Sequence, residues 1–146
     1  MKKTFTLLVL VIAYSLNAQT TDYNTEKGFI ADGYDVVSYF SNTAKEGINK
    51  YVSTHDGIKF KFSSQTNLDT FNGNPTKYVP QYGGYCAYAL AVKNKKVSVD
   101  PETFEIRNGK LYLFYNFWGS NALESWLDES PDVLKLKADE NWKKLN

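Results

Sequence analysis

Residues 74–87 have the sequence NPTKYVPQYGGYCA, and this stretch decides how the rest of the chain can fold. Pro75 and Pro80 fix the backbone φ angle and remove two amide donors, so neither a long helix nor a central strand can run through it. Gly83-Gly84 permits backbone conformations that a residue with a Cβ resists. The stretch therefore predicts a stiff turn that joins two parts of a small domain.

Tyrosine rings flank the two glycines of this turn. Rings on a rigid loop can line a pocket without losing much entropy on binding. One interpretation therefore places a ligand pocket between the turn and a hairpin predicted at residues 51–63. In the other interpretation, the rings only fill the joint between the two hairpins of the domain. The pocket candidates are Tyr78, Tyr82, Gly83, Gly84 and Tyr85.

The start of the chain has the features of a secretory signal peptide. A basic pair and an apolar segment occupy residues 2–16, and Leu16-Asn17-Ala18 matches a small-residue cleavage site. We expect residues 1–18 to be removed on export to the periplasm or the outside, and residues 19–28 to form a flexible leader. The apolar segment is too short for a comfortable membrane span, and no cysteine near the cut suggests a lipid anchor. We therefore expect no stable membrane anchor after cleavage.

The length and composition of the chain limit how many domains it can form and which partners it can bind. The chain has 146 residues, with 17 Lys and Arg against 16 Asp and Glu. A near-neutral charge with both signs interspersed gives no electrostatic reason to expect nucleic-acid binding. The length supports one ordinary domain with one core, which we place at residues 29–146 with a helical extension at its C-terminal end.

Two dipeptides with a second-position glycine predict β-hairpins. Asp56-Gly57 lies between two β-prone runs, and Asn108-Gly109 lies between two further alternating segments. After the first hairpin, Ser63 or Ser64 is placed to cap a helix that ends near Gly73. With further helices downstream, this order predicts a small single α+β domain with antiparallel β-hairpins and several helices.

Other segments complete the predicted domain. Residues 33–40 predict a turn and a short strand, and residues 97–100 predict another short strand. Residues 117–127 predict an amphipathic helix, and Ser130-Pro131 opens a last helix with proline in its first position. The buried stripe of that last helix is expected to contain Val133, Leu134, Leu136 and Trp142.

The chain has one cysteine, Cys86, and one histidine, His55. No intrachain disulfide is possible, and the apolar neighbours of Cys86 predict a buried thiol with a raised pKa. His55 immediately precedes the first hairpin turn, so we expect it to be accessible to solvent. A thiolate and an imidazole suit Cu(I) or Zn(II), which makes Cys86 and His55 a candidate two-ligand metal site.

Residues 51–78 resemble the YHS domain. Three further segments resemble those of exported bacterial YHS-domain proteins, namely GYDVVSYF at 33–40, PQYGGYCA at 80–87 and NGKLYL at 108–113. Together these segments cover most of the mature chain. The residues that carry the resemblance within the first segment are Gly57, Phe60, Phe62, Ser64, Phe71, Asn74, Pro75 and Tyr78.

The resemblance implies a small module that binds a metal ion, copper above all. Many family members carry cysteines that fall, in this chain, at Ser38, Ser63 and Asn67. None of these three positions holds a thiol here, which argues against soft-metal binding in the cysteine-rich manner of the family. Cys86 belongs to a different motif and does not replace them.

The sequence contains no Gly-rich phosphate loop, HExxH, CxxC or Gly-x-Ser-x-Gly motif. We therefore predict a non-catalytic, extracytoplasmic binding module whose ligand is a small molecule or a thiophilic metal ion. Two alternatives stay open. One is an enzyme with Cys86 as nucleophile and His55 as base. The other is an interaction module that docks a protein partner through a surface rich in Tyr and Trp.

Overall fold

The computed structural model of the protein describes residues 21–146. The predicted signal peptide over residues 1–18 and the start of the predicted leader lie outside these residues. Within the described part, none of the helices combines the length and the apolar character that a bilayer crossing requires.

The described residues form one small α+β domain, as the sequence predicts. Its strands are β1 (Thr25–Glu26), β2 (Phe29–Ile30), β3 (Ile48–His55), β4 (Ile58–Phe62), β5 (Asp100–Arg107), β6 (Lys110–Phe114), β7 (Asn116–Phe117) and β8 (Ser120–Asn121). Its helices are α1 (Gln65–Gly73), α2 (Pro75–Tyr78), α3 (Ala87–Lys93), α4 (Ala122–Asp128) and α5 (Pro131–Leu145). Short 3₁₀ turns occupy Ala31–Gly33, Ser38–Ser41 and Gln81–Gly84.

The first sheet has the strand order β1-β2-β4-β3. Strands β3 and β4 form the predicted antiparallel hairpin, in which His55 pairs with Ile58. Asp56 and Gly57 both have positive φ, 50° and 77°, as a primed two-residue turn requires. Strand β2 adds to the other edge of β4 in a parallel sense. The predicted hairpin is therefore confirmed, and a strand from the N-terminal region extends it.

Helix α1 follows the hairpin and covers its apolar face. The Ser64 hydroxyl accepts the amide of Asn67 at 3.1 Å, which confirms the predicted N-cap. Phe71 is buried, with its ring 4.6 Å from that of Phe60 and 5.0 Å from that of Phe62. The alternation in β4 thus places its phenylalanines under the helix.

Strands β5 and β6 form the second predicted hairpin, with Asn108 and Gly109 at φ 51° and 71°. The sequence predicts one buried face on β6, but Leu111, Tyr112, Leu113 and Phe114 are all buried. Both faces are covered because α3 and the 81–84 turn each pack against this strand. A strand enclosed in this way cannot keep a polar side.

Two predicted strands are wrong. Residues 33–40 form 3₁₀ turns instead of a strand. The Asp35 carboxylate accepts hydrogen bonds from the amides of Val37 and Ser38 at 2.9 and 3.3 Å. These local bonds stabilise a turn and replace the inter-strand hydrogen bonds of a sheet. In the second segment, residues 97–100, the strand begins only at Asp100. The Val97 carbonyl is not free to pair in a sheet, because it accepts the amide of Cys86 at the start of α3.

The C-terminal region differs from the prediction in its details. The predicted helix over 117–127 begins only at Ala122, because a tight turn at Trp118 and Gly119 joins β7 to β8. Helix α5 begins at Pro131 as predicted. Of its predicted stripe, Leu134 is buried and Trp142 half-buried, whereas Val133 and Leu136 are 51% and 67% exposed. Ala138 takes a buried place, since α5 packs closely on α3 and a small residue permits that approach.

Candidate functional site

The 81–84 turn reverses the chain through three consecutive residues with positive φ. Tyr82, Gly83 and Gly84 have φ of 57°, 61° and 82°. This conformation suits glycine and is uncommon for tyrosine, so packing around Tyr82 must stabilise it. The turn brings the Tyr82 ring into the core, where only 5% of the residue is exposed.

The two glycines allow other parts of the chain to approach the turn closely. A Cβ on Gly83 would lie 2.5 Å from the Asp22 carbonyl oxygen and 3.1 Å from Cη2 of Trp142. A Cβ on Gly84 would lie 3.2 Å from the Ile30 side chain. The turn therefore serves as a common contact surface for the N-terminal segment and for α5.

The N-terminal segment is held against this turn. The Asn24 amide donates to the Gly83 carbonyl at 2.8 Å, and its side-chain nitrogen donates to the Gly84 carbonyl at 3.1 Å. The Lys96 ammonium lies 3.1 Å from the Asp22 carboxylate. The described part of the predicted flexible leader is thus packed on the domain. The sequence gives no local sign of this, because the partners lie about 60 residues further along the chain.

A shallow pocket of about 270 Å³ that is open to solvent, here called the hairpin cavity, lies where the 81–84 turn, the tip of the first hairpin and α5 meet. It forms between the loop and the hairpin where one interpretation of the sequence places a pocket. The residues around it are Thr21, Tyr23, His55, Asp56, Thr76, Val79, Pro80, Gln81, Tyr82, Gly83 and Trp142.

The hairpin tip supplies one wall of this cavity. His55 Nε2 lies 3.5 Å from the Asp56 carboxylate, and its imidazole stands edge-on to the Phe71 ring at 6.2 Å. The His55 side chain is 25% exposed, in keeping with the predicted solvent access. Burial raises the pKa of the Tyr23 phenol, and the nearby Asp56 charge raises it further. The wall therefore carries a negative charge beside an aromatic ring.

The opposite wall is formed by Tyr82 and Trp142. The Tyr82 hydroxyl donates to Asp139 of α5 at 2.8 Å, and its ring stands edge-on to Trp142 at 6.2 Å. Burial, together with this hydrogen bond to a carboxylate, holds the pKa of Tyr82 far above its ordinary value. Tyr82 thus packs between the turn and α5 and also lines the cavity.

The other pocket candidates lie outside this cavity. Tyr78 is buried with its ring 5.0 Å from that of Phe40, and Gly84 faces Ile30. Tyr85 is half-buried, and its hydroxyl lies 3.3 Å from the Asp22 carboxylate. Of the five candidates, Tyr82 and Gly83 line the hairpin cavity.

Cys86 borders a different cavity, of about 260 Å³. It is fully buried, and burial raises the pKa of its thiol, as the apolar neighbours predict. Because His55 lines the hairpin cavity and Cys86 lines the other one, neither cavity presents both residues. Among residues 21–146, no group of three or more His, Cys, Asp or Glu side chains is arranged to hold a metal ion.

The three positions at which the family resemblance expects cysteines meet in space around Asp35. Asp35 is fully buried, and one carboxylate oxygen accepts the amide and the hydroxyl of Ser63 at 2.8 and 2.7 Å. The same oxygen accepts the Asn67 side-chain nitrogen at 2.7 Å. The Ser38 amide donates to the other oxygen, and its hydroxyl donates to the Asp35 carbonyl. These residues form a satisfied polar cluster that joins the 35–38 turn to the hairpin and α1.

No model of a known protein family matches the chain, and no curated protein or solved structure is significantly similar to it.

Eight of the eleven described residues around the hairpin cavity were not predicted as site residues, among them Asp56, Tyr23 and Trp142. The hairpin turn alone explains why an aspartate occupies position 56, so the sequence gives no sign that Asp56 also contacts a ligand. Tyr23 falls in a polar segment predicted to be flexible. Trp142 is predicted to be buried on α5, but its position opposite the turn depends on a helix packing that no local pattern encodes.

Proposed function

We propose that this protein is an exported, non-catalytic binding module of the YHS type and that it binds a small molecule in the hairpin cavity. The observation that carries the proposal is the cavity itself, which forms where the rigid 81–84 turn faces the hairpin tip. Two of the residues that suggest a pocket from sequence, Tyr82 and Gly83, are part of its wall.

The composition of the cavity suits a small organic ligand. Binding sites for small molecules combine aromatic or apolar walls with a few polar groups that fix orientation. Tyr82 and Trp142 supply the aromatic surface, while His55, Asp56 and Gln81 supply polar groups. At about 270 Å³, the cavity lies just below the usual range of about 300–1,000 Å³ for ligand sites, so we expect a ligand with few heavy atoms.

The arrangement favours a small molecule over a metal ion. The predicted metal pair, Cys86 and His55, borders two different cavities. In the hairpin cavity, His55 and Asp56 are the side chains with metal-ligand character, and they are two where a closed structural zinc site uses four. The same separation gives no support to an enzyme in which His55 activates the Cys86 thiol, because that pair must lie within hydrogen-bond reach.

The YHS part of the proposal rests on the quoted motifs and on one spatial relation. Ser63 and Asn67 lie 28 and 32 residues beyond Asp35, yet both contact its carboxylate, as Ser38 does from within the turn. A coincidental motif match would give no reason for these positions to meet. Export is proposed from the N-terminal sequence alone.

Nuclear magnetic resonance with a library of small molecules, and separately with Cu(I) and Zn(II), tests the proposal. We expect a small-molecule ligand to shift the backbone amides of His55 and Gly83 and the indole NH of Trp142. Thr76→Trp at the rim should abolish these shifts by filling the cavity. Thr66→Trp, on the exposed side of α1, is the matched control and should leave them unchanged.

Two results would overturn the proposal. In one, ligand shifts cluster around Cys86 and Tyr115 and persist in Thr76→Trp, which would place the site in the other cavity. In the other, no library member shifts the hairpin-cavity signals while a metal ion binds and Cys86→Ser abolishes that binding.

A further inference from the structure

We propose that the ligand of the hairpin cavity is a small organic cation, an amine or a quaternary ammonium compound. This inference rests on the proposed function and adds the charge class of the ligand. It follows from the distribution of charge and aromatic rings around the cavity.

Among residues 21–146, the cavity wall carries one carboxylate and no lysine or arginine. The Asp56 side chain is 65% exposed, and its carboxylate lies 3.5 Å from His55 Nε2 and beside the Tyr23 phenol. A ligand with a positive charge therefore gains a Coulomb contact at this wall, whereas an anion is repelled.

Nearby charges outside the cavity wall pair with one another. Asp139, behind Tyr82, lies 3.0 Å from the Lys135 ammonium. Asp22 lies 3.1 Å from Lys96 in the same way. Each of these carboxylates thus has a lysine partner, whereas the Asp56 carboxylate has no lysine or arginine within salt-bridge distance among residues 21–146.

Aromatic rings are the second feature that favours a cation. Tyr23, Tyr82 and Trp142 all border the cavity, and the negative face of an aromatic ring attracts a cation within about 6 Å of its centroid. The protein already uses this attraction, since the Lys96 ammonium lies 5.2 Å from the Trp142 ring. Rings beside one carboxylate form the kind of surface that recognises an ammonium group.

Asp56→Asn provides a clean test, because it removes the charge and keeps the turn. Asp56 has φ of 50°, and Asn-Gly is as favourable as Asp-Gly in a primed two-residue hairpin turn. Asp128→Asn is the matched control, since Asp128 is exposed at the end of α4 and lies outside the cavity wall.

The probes are choline and its neutral isostere 3,3-dimethylbutan-1-ol, titrated into the full protein by calorimetry and by NMR. We expect choline to bind in the hairpin cavity at least tenfold more tightly than the neutral alcohol. Asp56→Asn should reduce choline affinity by about tenfold and leave the alcohol unchanged, while Asp128→Asn should change neither.

The outcomes separate this inference from the proposed function. If the alcohol or a carboxylate such as benzoate binds in the cavity as tightly as choline, and Asp56→Asn has no effect, the cation inference is overturned and the small-molecule site stands. If choline, the alcohol and the whole library all fail to shift the cavity signals, both proposals fail. If choline binds but Thr76→Trp leaves its affinity intact, binding occurs elsewhere and the cation inference is again overturned.

Discussion

The hydroxyl of Tyr82 donates to the carboxylate of Asp139 at 2.8 Å, across 57 residues of sequence. This bond joins the 81–84 turn to α5 at the base of the hairpin cavity. A buried hydroxyl with a charged partner should contribute measurably to stability.

Replacing Tyr82 with phenylalanine should therefore destabilise the protein by about 1.5–3 kcal/mol, the usual range for a hydrogen bond to a charged group. Tyr82→Ala should cost about 3–5 kcal/mol because the ring is also lost from the core. Urea denaturation gives both values. Tyr85→Phe is the control and should change stability by less than about 0.5 kcal/mol, because the Tyr85 hydroxyl makes a long contact at the surface. Equal costs for the two Tyr→Phe changes would contradict a stabilising hydrogen bond between Tyr82 and Asp139.

Tyr112 should behave in the opposite way. Its ring lies 5.9 Å from that of Tyr82, but its buried hydroxyl has no hydrogen-bond partner among residues 21–146. Tyr112→Phe removes a polar atom that burial penalises, so we expect unchanged or higher stability, by up to about 1 kcal/mol. A loss of more than about 1 kcal/mol in urea denaturation would mean that the hydroxyl has a partner that the structure does not show.

Tyr112 should also make the stability of the protein depend on pH in the alkaline range. Burial raises the pKa of Tyr112 to about 12 from an ordinary value of 10.0. Between these two values the folded state keeps a proton that the unfolded state releases, so stability falls as pH rises through this window and is unaffected below it. Tyr112→Phe should make this decline shallower, which thermal melts across the alkaline range can measure. An identical decline in both proteins would show that Tyr112 ionises equally in the two states.

Gly83→Ala should detach the N-terminal segment from the turn. The new Cβ would meet the Asp22 carbonyl at 2.5 Å, in addition to the strain of alanine at φ 61°. Gly57→Ala is the matched control, because it has φ of 77° and open space around it. We expect the control to lose about 1–2 kcal/mol from backbone strain, and Gly83→Ala to lose more. Hydrogen exchange at the Asn24 amide should accelerate only in Gly83→Ala, and equal exchange in both variants would contradict the close approach.

Asp35→Asn should be one of the most destabilising conservative changes in the chain. Asparagine offers one acceptor oxygen where the carboxylate offers two, so either Ser63 and Asn67 or the amides of Val37 and Ser38 lose their acceptor. With at least two buried donors left unpaired, we expect a loss of about 3 kcal/mol or more. Asp69→Asn, on the exposed face of α1, should cost less than about 0.5 kcal/mol. A small loss at Asp35 would show that the cluster contributes little to stability.

Local sequence rules predicted the parts of the fold whose causes are local. Asp56-Gly57 and Asn108-Gly109 adopt the positive φ angles of their turns, and Ser64 caps α1, because each interaction spans only a few residues. The 33–40 segment was misassigned because Asp35 draws it into turns, and the side chains that satisfy Asp35 lie about 30 residues away. Its β-prone composition gives no sign of those partners.

In the candidate site, too, the features with local causes were predicted and those that depend on distant contacts were not. The glycine and tyrosine pattern identified the turn, and Tyr82 and Gly83 do line a cavity. The pairing of Cys86 with His55 rested on chemistry alone, without a spatial argument, and the two residues border different cavities. Trp142 belongs to a helix whose docking is a property of the whole domain.

The attachment of the N-terminal segment has a consequence for the order of events during folding. The two hairpins close within themselves, but Phe29 pairs beside Lys59, and Asn24 bonds to Gly84 across 60 residues. The first part of the domain to be synthesised must therefore wait for the middle of the chain before its contacts can form. Until then, one edge of β4 is uncovered, and an uncovered edge is a template for pairing with another chain. Once residues 22–30 dock, that edge is covered, and neighbouring copies can no longer associate through it.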